Sequence, residues 1–430
     1  MQPIAAPLLQ WFNANKRLLP FRQEPSAYHI WVSEIMLQQT RVAAAIPYYE
    51  RFIAALPDPA ALAACEPDAL RKLWQGLGYY NRVNNMQKAA RIVCEQYGGD
   101  LPADYEALRS LPGIGDYTAG AVASIAFGIP VPAVDGNVLR VFARLYNDDA
   151  DVMTPAAKKA FTVRVLDQMP KATPGPYNEA LMELGALVCV PGAPRCEVCP
   201  LAQLCQGYAA GRAAELPVKP APKAKGRVPV TVALIESERG VLLQRRPARG
   251  LLAGLWQPAA WEKSLTREEL TAALAALGVR AALGEALPPA KHVFTHKIWE
   301  LGGWRGTAPA CDLPEGYVWA APEDLAEVYP VPNAFGASVK ASEGEFFMAM
   351  NGQNPSGLAA RPAPTSWGAF FAGSARLLLC ITSRGLCASH TPPRSGQDRS
   401  YKPAVNDIRR EGLDPPRPCA VSARKKAIEP

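Results

Sequence analysis

Four cysteines stand within seventeen residues, in the stretch CVPGAPRCEVCPLAQLC. They are Cys189, Cys196, Cys199 and Cys205, and their spacing is C-x6-C-x2-C-x5-C. A structural zinc site usually has two short cysteine pairs separated by a longer stretch. Four cysteine thiolates, often close together in sequence, also hold iron–sulfur clusters. The spacing alone therefore favours an iron–sulfur cluster over zinc, and both stay open.

Two carboxylates stand in stretches that could cleave a bond to a sugar. Glu34 lies among apolar residues in IWVSEIMLQQT, and Asp135 stands in VDGNV before a helical pattern. The simpler interpretations are that Glu34 belongs to a solvated polar face and that Asp135 is only a helix N-cap. In a closed apolar site the pKa of Glu34 would instead rise, so that it could act as a general acid. The second carboxylate could then stabilise positive charge on the sugar.

A glycine-rich turn, SLPGIGDYTAG at residues 110–120, could hold a phosphate. Gly113 and Gly115 are expected to adopt backbone angles that other residues avoid. The turn predicts a helix that begins near Asp116 or Tyr117, and backbone N–H groups at such a start bind phosphate without reading a base. A plain helix–helix turn explains the same pattern equally well.

The elements that would position these residues change in type along the chain. Residues 8 to about 187 show apolar residues at helical spacing, interrupted by Pro and Gly. In DGNVLRVFARLY this spacing places Val138, Phe142 and Leu145 on one face. Later stretches predict strands in VPVTVALIES, GVLLQRR and KHVFTHKIWELGGWRG, and helices in LTREELTAALAALG and APEDLAEV. A mostly helical part is therefore followed by a mixed α/β domain.

Composition divides the chain of 430 residues into four segments. Residues 1–211 form the helical domain with its cysteine loop, and residues 212–227 form an exposed linker rich in Pro, Ala and Lys. Residues 228–351 form the α/β domain, and we expect residues 352–430 to be a disordered tail. The formal net charge of +7 allows contact with a polyanion. No signal peptide and no membrane-spanning apolar run is recognised, so we expect a cytoplasmic protein without membrane contact, nucleoid-associated in a bacterium.

Together, these motifs resemble the helix-hairpin-helix DNA glycosylase superfamily over roughly residues 8–210. The cysteine spacing matches the superfamily's 4Fe–4S loop, so the resemblance implies one such cluster. The lyase branch places a lysine nucleophile just after the hairpin, where this chain has Tyr117. SEIMLQQT, LPGIGDYTAG, VDGNV and YNEALMELGALVC, with the additional α/β domain, are similar to adenine DNA glycosylases. The resemblance implies a monofunctional, monomeric enzyme that hydrolyses the N-glycosidic bond of adenine mispaired with 8-oxoguanine or guanine in double-stranded DNA.

The resemblance also implies roles for single residues. Glu34 would protonate adenine, and Asp135 would stabilise the sugar cation. Tyr117 and Asn137 would support that carboxylate or the sugar, and Glu179 would lie in the same pocket. Arg22 would face the base, while the other residues implied to contact DNA are Leu37, Gln39, Tyr79, Gly113 and Gly115. Asp116 departs from the family, where a basic residue often stands beside the DNA.

The α/β domain resembles a Nudix fold. Its helix LTREELTAALAALGV lacks the second glutamate pair of the magnesium-binding pattern REUxEExGU, which opposes nucleotide pyrophosphohydrolase activity. In adenine glycosylases this domain senses oxidised guanine through a Phe-Ser/Thr-His strand tip, and Phe294, Thr295 and His296 match that tip. Two alternatives stay open. A thymine or uracil mismatch glycosylase would leave the α/β domain unexplained, and a zinc-dependent DNA-binding module would have no catalysis.

Overall fold

The computed structural model of the protein describes residues 2–23, 25–221 and 224–336. The predicted tail, 352–430, and the end of the predicted α/β domain, 337–351, lie outside the described residues. All described residues belong to one compact unit.

Helices dominate the first half of the chain, as the apolar spacing predicts. They are α1 (Ala5–Asn15), α2 (Pro20–Gln23), α3 (Ala27–Leu37), α4 (Val42–Ala55), α5 (Pro59–Ala64), α6 (Pro67–Leu73), α7 (Asn81–Tyr97), α8 (Tyr105–Ser110), α9 (Asp116–Phe127), α10 (Gly136–Leu145), α11 (Pro155–Asp167), α12 (Pro174–Leu187) and α13 (Gln206–Ala209). Two short 3-10 helices, Cys196–Val198 and Ala202–Leu204, lie in the cysteine loop. No helix in the described part of the chain is long and apolar enough to cross a membrane.

The helices enclose two hydrophobic cores, which we call core A and core B. Core A joins α3, α4, α7 and α9 around Trp31 and Trp74. Core B joins α1, α10, α11 and α12 around Phe142 and Tyr177. Helix α9 packs against both α3 and α12, and α12 packs against α10. The helices that carry the candidate catalytic residues therefore meet where the two cores adjoin.

The α/β domain is a mixed seven-stranded sheet within the described residues. Its strands are β1 (Gly226–Ser237), β2 (Gly240–Arg245), β3 (Trp256–Trp261), β4 (Ala282–Ala286), β5 (Ala290–Val293), β6 (Lys297–Thr307) and β7 (Tyr317–Ala320), with helices α14 (Arg267–Ala275) and α15 (Pro322–Glu327). The strand order is β4-β6-β1-β3-β2-β7, and β5 pairs with β6. Strands β1 and β6 run parallel, while the other pairs are antiparallel.

Apolar cores cover both faces of this sheet. Val230, Val232 and Leu234 of β1 contribute to one core, whereas Ala233 and Ile235 contribute to the other. This is the alternation that a strand imposes on successive side chains. The β5–β6 turn, which carries the predicted recognition residues, is thus held by a sheet that is buried on both sides.

The predicted linker at residues 212–227 differs from the structure in its first part. Ala213 and Leu216 are buried rather than exposed. Arg144 Nε donates to the Leu216 carbonyl at 2.9 Å, and β1 already begins at Gly226, two residues before the predicted domain start. A composition rich in Pro, Ala and Lys predicts average exposure, but it does not reveal which side chains pack against the fold.

The loop between β2 and β3 packs against the helical part. Leu255 is fully buried within core A, and Leu252 packs against that core. On α6, Lys72 Nζ donates to the carbonyls of Leu325 at 2.8 Å and Tyr329 at 3.3 Å. The α/β domain and the helical part therefore share buried apolar and polar contacts.

Candidate active site

Glu34 lies in the last two turns of α3 and is only 8% exposed. Burial, with a smaller contribution from the charges of Asp135 and Glu179, raises the pKa of this carboxyl to about 7 against the opposing effects of Tyr117 and Arg22. A buried carboxyl is harder to ionise because the charged form loses its hydration. The interpretation of Glu34 as part of a solvated face is wrong, and the side chain can carry a proton near neutral pH.

Tyr117, in the first turn of α9, is the hydrogen-bond donor to this carboxyl. Its hydroxyl donates to Glu34 Oε2 at 2.5 Å and lies 3.1 Å from Met182 Sδ. One hydroxyl carries one proton, and a carboxylate is the stronger acceptor. Burial raises the pKa of Tyr117 above its usual value, so the donor keeps its proton. The Tyr117 hydroxyl thus contacts Glu34 rather than Asp135, and a proton on Glu34 is directed to Oε1.

Asp135 is both the N-cap of α10 and the second carboxylate of the site. Its Oδ1 accepts from the backbone N–H groups of Asn137 at 2.9 Å and Val138 at 2.8 Å. Its Oδ2 accepts from Asn137 Nδ2 at 2.7 Å. Burial raises the pKa of Asp135, but these three donors and the positive charge of Arg140 favour its ionised form. Asp135 can therefore cap α10 and also serve as the second carboxylate of the site.

Arg140 connects this carboxylate to the cysteine loop, and sequence reasoning missed it. One terminal nitrogen donates to Asn137 Oδ1 at 2.9 Å and to the Gly185 carbonyl at 2.8 Å. Its Nε donates to the Cys189 carbonyl at 2.8 Å. Because Asn137 Oδ1 faces a guanidinium, its Nδ2 must face Asp135. Arg140 follows Asn137 by three residues, a helical spacing that could have signalled the contact.

A network of two arginines and two glutamates adjoins the pocket. Arg22 Nε donates to Glu179 Oε1 at 3.0 Å, and a terminal nitrogen of Arg22 donates to Glu183 Oε2 at 3.0 Å. Arg17 Nε donates to Glu183 Oε1 at 2.7 Å. Burial raises the pKa of Glu179, whereas the bonds from Arg17 and Arg22 outweigh burial at Glu183 and lower its pKa to about 2. Sequence reasoning missed Glu183 and Arg17, although Glu183 follows Glu179 by one helical turn.

The cysteine loop brings its four thiols around one cavity. Cys189, Cys196, Cys199 and Cys205 all line it, and none of them forms a disulfide. Arg144 donates to Cys189 Sγ at 3.3 Å, so a positive charge lies beside the sulfur atoms. Among the described residues no group of three or more Cys, His, Asp or Glu side chains is arranged to hold a single metal ion. Four cysteine sulfur atoms around one cavity are soft donors of the kind that hold an iron–sulfur cluster or zinc.

The hairpin before α9 shows one required glycine. Gly113 has φ of +81°, and an added Cβ would lie 2.7 Å from Asn85 Cβ. Gly115 has φ of −96°, an extended conformation open to other residues, so the expectation for its backbone was wrong. Asp116, which departs from the family pattern, is exposed and pairs with Arg109 at 3.3 Å. Part of its negative charge is therefore neutralised by α8.

Two of the six residues implied to contact DNA, together with the three implied to sense oxidised guanine, line one cleft of about 1000 Å³ between the helical part and the α/β domain. The predicted residues that line it are Gln39, Tyr79, Phe294, Thr295 and His296. The Tyr79 hydroxyl lies 3.3 Å from Thr295 Oγ1, so the two parts touch at this point. Phe294 packs edge-on against Trp299 with ring centroids 4.9 Å apart. Leu37 is half-buried against core A, and Arg22 lies instead in the glutamate network.

Comparison with known proteins matches both parts of the chain. Residues 32–164 match the family described as HhH-GPD superfamily base excision DNA repair protein, and residues 230–341 match the NUDIX domain. The adenine DNA glycosylase of Mus musculus is 34% identical over 381 residues, covering 74% of this chain and 74% of that protein. That of Homo sapiens is 33% identical over 414 residues, covering 81% of this chain and 74% of that protein.

A solved structure described as a thermostable thymine-DNA glycosylase is also similar. It is 27% identical, covers 48% of this chain and 95% of that chain, and superimposes with a TM-score of 0.44.

Proposed function

The chain belongs to the adenine DNA glycosylase family, and we propose that it removes adenine mispaired with 8-oxoguanine or guanine from duplex DNA. The observation that carries this proposal is the buried Glu34, with a pKa of about 7, beside a second carboxyl, Asp135, which accepts three hydrogen bonds that favour its ionised form. Two carboxyls in unlike environments suit cleavage of a glycosidic bond.

The reaction places different demands on the two carboxyls. Adenine leaves more readily when it is protonated, and the Glu34 proton on Oε1 can be given to the base while Tyr117 holds Oε2. The sugar gains positive charge as the bond breaks. A carboxylate whose position is fixed by Asn137 and two backbone N–H groups can stabilise that charge without reorganisation. Water then completes hydrolysis and leaves an abasic site.

The absence of a lysine at position 117 supports a monofunctional enzyme. A phenol hydroxyl cannot form the imine that a lyase uses, since that step requires an amine. The base must also leave the stack to reach a buried acid. A cytoplasmic location and a monomeric state belong to the same proposal.

We assign recognition of the base opposite adenine to the cleft between the helical part and the α/β domain. Oxidation of guanine changes an acceptor into a donor and adds a carbonyl group, so a small polar cluster can tell the two bases apart. Tyr79 and Thr295, which touch across the cleft, supply hydroxyls for such contacts. His296 is exposed beside them.

The four cysteines would hold a 4Fe–4S cluster, which when bound cross-links residues 189–205 into one rigid loop. Arg140 and Arg144 reach from α10 to this loop, through the Cys189 carbonyl and the Cys189 sulfur. A rigid loop would therefore support the helix whose N-cap is Asp135.

The experiment uses four duplexes, with adenine opposite 8-oxoguanine, guanine or thymine, and with thymine opposite guanine. After a single turnover each sample is split, and one half is treated with alkali to cleave abasic sites. We expect strand cleavage only in the alkali-treated half, and only in the duplexes with adenine opposite 8-oxoguanine or guanine. Excision of thymine would favour the mismatch glycosylase alternative, and cleavage without alkali, with a borohydride-trapped complex, would contradict the monofunctional mechanism.

A further inference from the structure

Arg82, in the first turn of α7, donates hydrogen bonds to five backbone carbonyls in two separate segments. They belong to Ile35 (2.8 Å), Met36 (3.1 Å), Gln38 (2.6 Å), Leu77 (3.1 Å) and Gly78 (3.1 Å). Three are bound by one terminal nitrogen and two by the other. The guanidinium also lies over the Trp74 ring at 5.2 Å and the Tyr79 ring at 5.5 Å.

The first segment is the C-terminus of α3. The last carbonyls of a helix have no partner within it, and a positive charge there is favourable. Arg82 supplies both a donor and a charge at the end of the helix that carries Glu34. The chain then turns at Gln39, whose φ of 60° is in the left-handed region that side chains rarely adopt.

The second segment is the loop before α7. Tyr79 has φ of 50°, again in the left-handed region, and Gly78 has φ of 70°. The Gly78 carbonyl accepts from both Arg82 and Trp74 Nε1, the latter at 3.0 Å. Sparsely populated backbone conformations persist when the surrounding contacts hold them, and they occur often at functional sites.

We propose that Arg82 is the positioning residue that holds Gln39 and Tyr79 together in the conformation in which they meet the duplex, an inference that rests on the proposed function. Trp74 Nε1 bonds a carbonyl of the second segment, that of Gly78, whereas Arg82 bonds carbonyls of both segments. Arg82 lines the same cleft as these two residues, but its two terminal nitrogens bond backbone carbonyls and its guanidinium contacts the Tyr79 ring, so it acts through them. Through the Tyr79 hydroxyl it also sets the contact with Thr295 in the α/β domain.

Arg82→Lys tests the proposal because it keeps the charge. A lysine ammonium has three donors at one point, whereas the guanidinium fork spans both segments. The matched control is Arg91→Ala on the same helix, since Arg91 is exposed and makes one 3.2 Å bond to the Ala63 carbonyl. We expect Arg82→Lys to bind mismatched duplex about tenfold more weakly, as for the loss of one charged hydrogen bond. Arg91→Ala should match the wild type.

Amide hydrogen exchange of the free protein supplies a readout that needs no excision. Peptides covering residues 36–40 and 77–81 should exchange faster in Arg82→Lys, while peptides from α10 and α12 should not change. If the wild type fails to excise adenine, the proposed function fails, and the exchange measurement still decides the role of Arg82.

A double-mutant cycle separates positioning from general stability. In a Tyr79→Ala background, Arg82→Lys should weaken duplex binding less than it does alone, because the residue that it positions is gone. Equal losses in both backgrounds, or a lower melting temperature with unchanged exchange in both segments and unchanged affinity, would overturn the proposal.

Discussion

Glu34→Gln separates the chemistry of Glu34 from the cost of burying it. Glutamine keeps an oxygen that accepts from the Tyr117 hydroxyl, but it has neither a charge nor a proton to give. The same substitution should therefore abolish adenine excision and stabilise the folded protein at alkaline pH.

The magnitude follows from the pKa of Glu34, which burial raises from 4.5 to about 7. One unit of pKa is worth about 1.4 kcal/mol, so ionising this buried group costs about 3 kcal/mol of folding free energy. Between pH 4.5 and 7 the folded state holds a proton that the unfolded state has released. The free energy of unfolding therefore falls as pH rises through this window, and the full cost is present at pH 8.

Melting temperatures at pH 5 and pH 8 measure this cost. A stability change of 1 kcal/mol shifts the melting temperature of a domain of this size by about 2–4 °C. Glu34→Gln should therefore melt up to about 10 °C above the wild type at pH 8. The difference should shrink at pH 5, where the wild-type carboxyl is neutral. In single-turnover assays the wild-type excision rate should fall as pH rises above about 7, because the acid loses its proton.

Glu183→Gln is the matched control with the opposite sign. The arginine bonds outweigh burial and lower the pKa of Glu183 to about 2, so its contribution to stability is present above pH 4.5 and is lost as pH falls toward 2. This variant should melt below the wild type at pH 8. The burial argument is refuted if Glu34→Gln melts no higher than the wild type at pH 8. It is also refuted if the variant melts higher by the same margin at pH 5 and at pH 8. Excision by Glu34→Gln at near wild-type rate would refute its role as the acid.

Three further predictions concern the rest of the site. Asp135→Asn should lose excision by several orders of magnitude yet keep affinity for mismatched duplex, since asparagine still caps α10; retained excision, measured after alkali treatment, would contradict the cation-stabilising role. Purified protein should contain about four irons and four sulfides per chain, and Cys196→Ser should lose colour and soluble yield together, whereas stoichiometric zinc without sulfide would rule out the cluster. Alanine at both Thr295 and His296 should lower affinity for adenine opposite 8-oxoguanine more than for adenine opposite guanine, by about 1–3 kcal/mol; an equal loss on the two duplexes would mean that the α/β domain contributes only phosphate contacts.

The fold class predicted from the sequence, a helix-hairpin-helix glycosylase part and a Nudix-like α/β domain, is confirmed. Much of this prediction rested on local sequence patterns. Asp135 before an apolar helical stripe predicted a capped helix, and α10 begins one residue later. Alternation in VPVTVALIES predicted a strand, and β1 runs from Gly226 to Ser237. Such features depend on neighbours within a few residues, so the sequence is sufficient to reveal them.

Contacts between residues far apart in the sequence were harder to predict. The partner of Tyr117 proved to be Glu34, 83 residues away, although the resemblance implied support of Asp135 or the sugar. Gly115 was expected to need glycine's backbone freedom, but only Gly113 has positive φ in that hairpin. A turn's composition indicates that glycine is present, whereas the path of the backbone decides which glycine is required.

By itself, the sequence determined which donors and acids are available: four cysteines at ligand spacing, a capping aspartate and a carboxyl among apolar residues. The tertiary structure decided what those groups can do. Glu34 becomes an acid near neutral pH because packing removes its water and brings other carboxyls close. Arg82 joins two distant turns because its five acceptors converge in space. Burial and convergence are properties of the folded chain, since both depend on which residues it brings together.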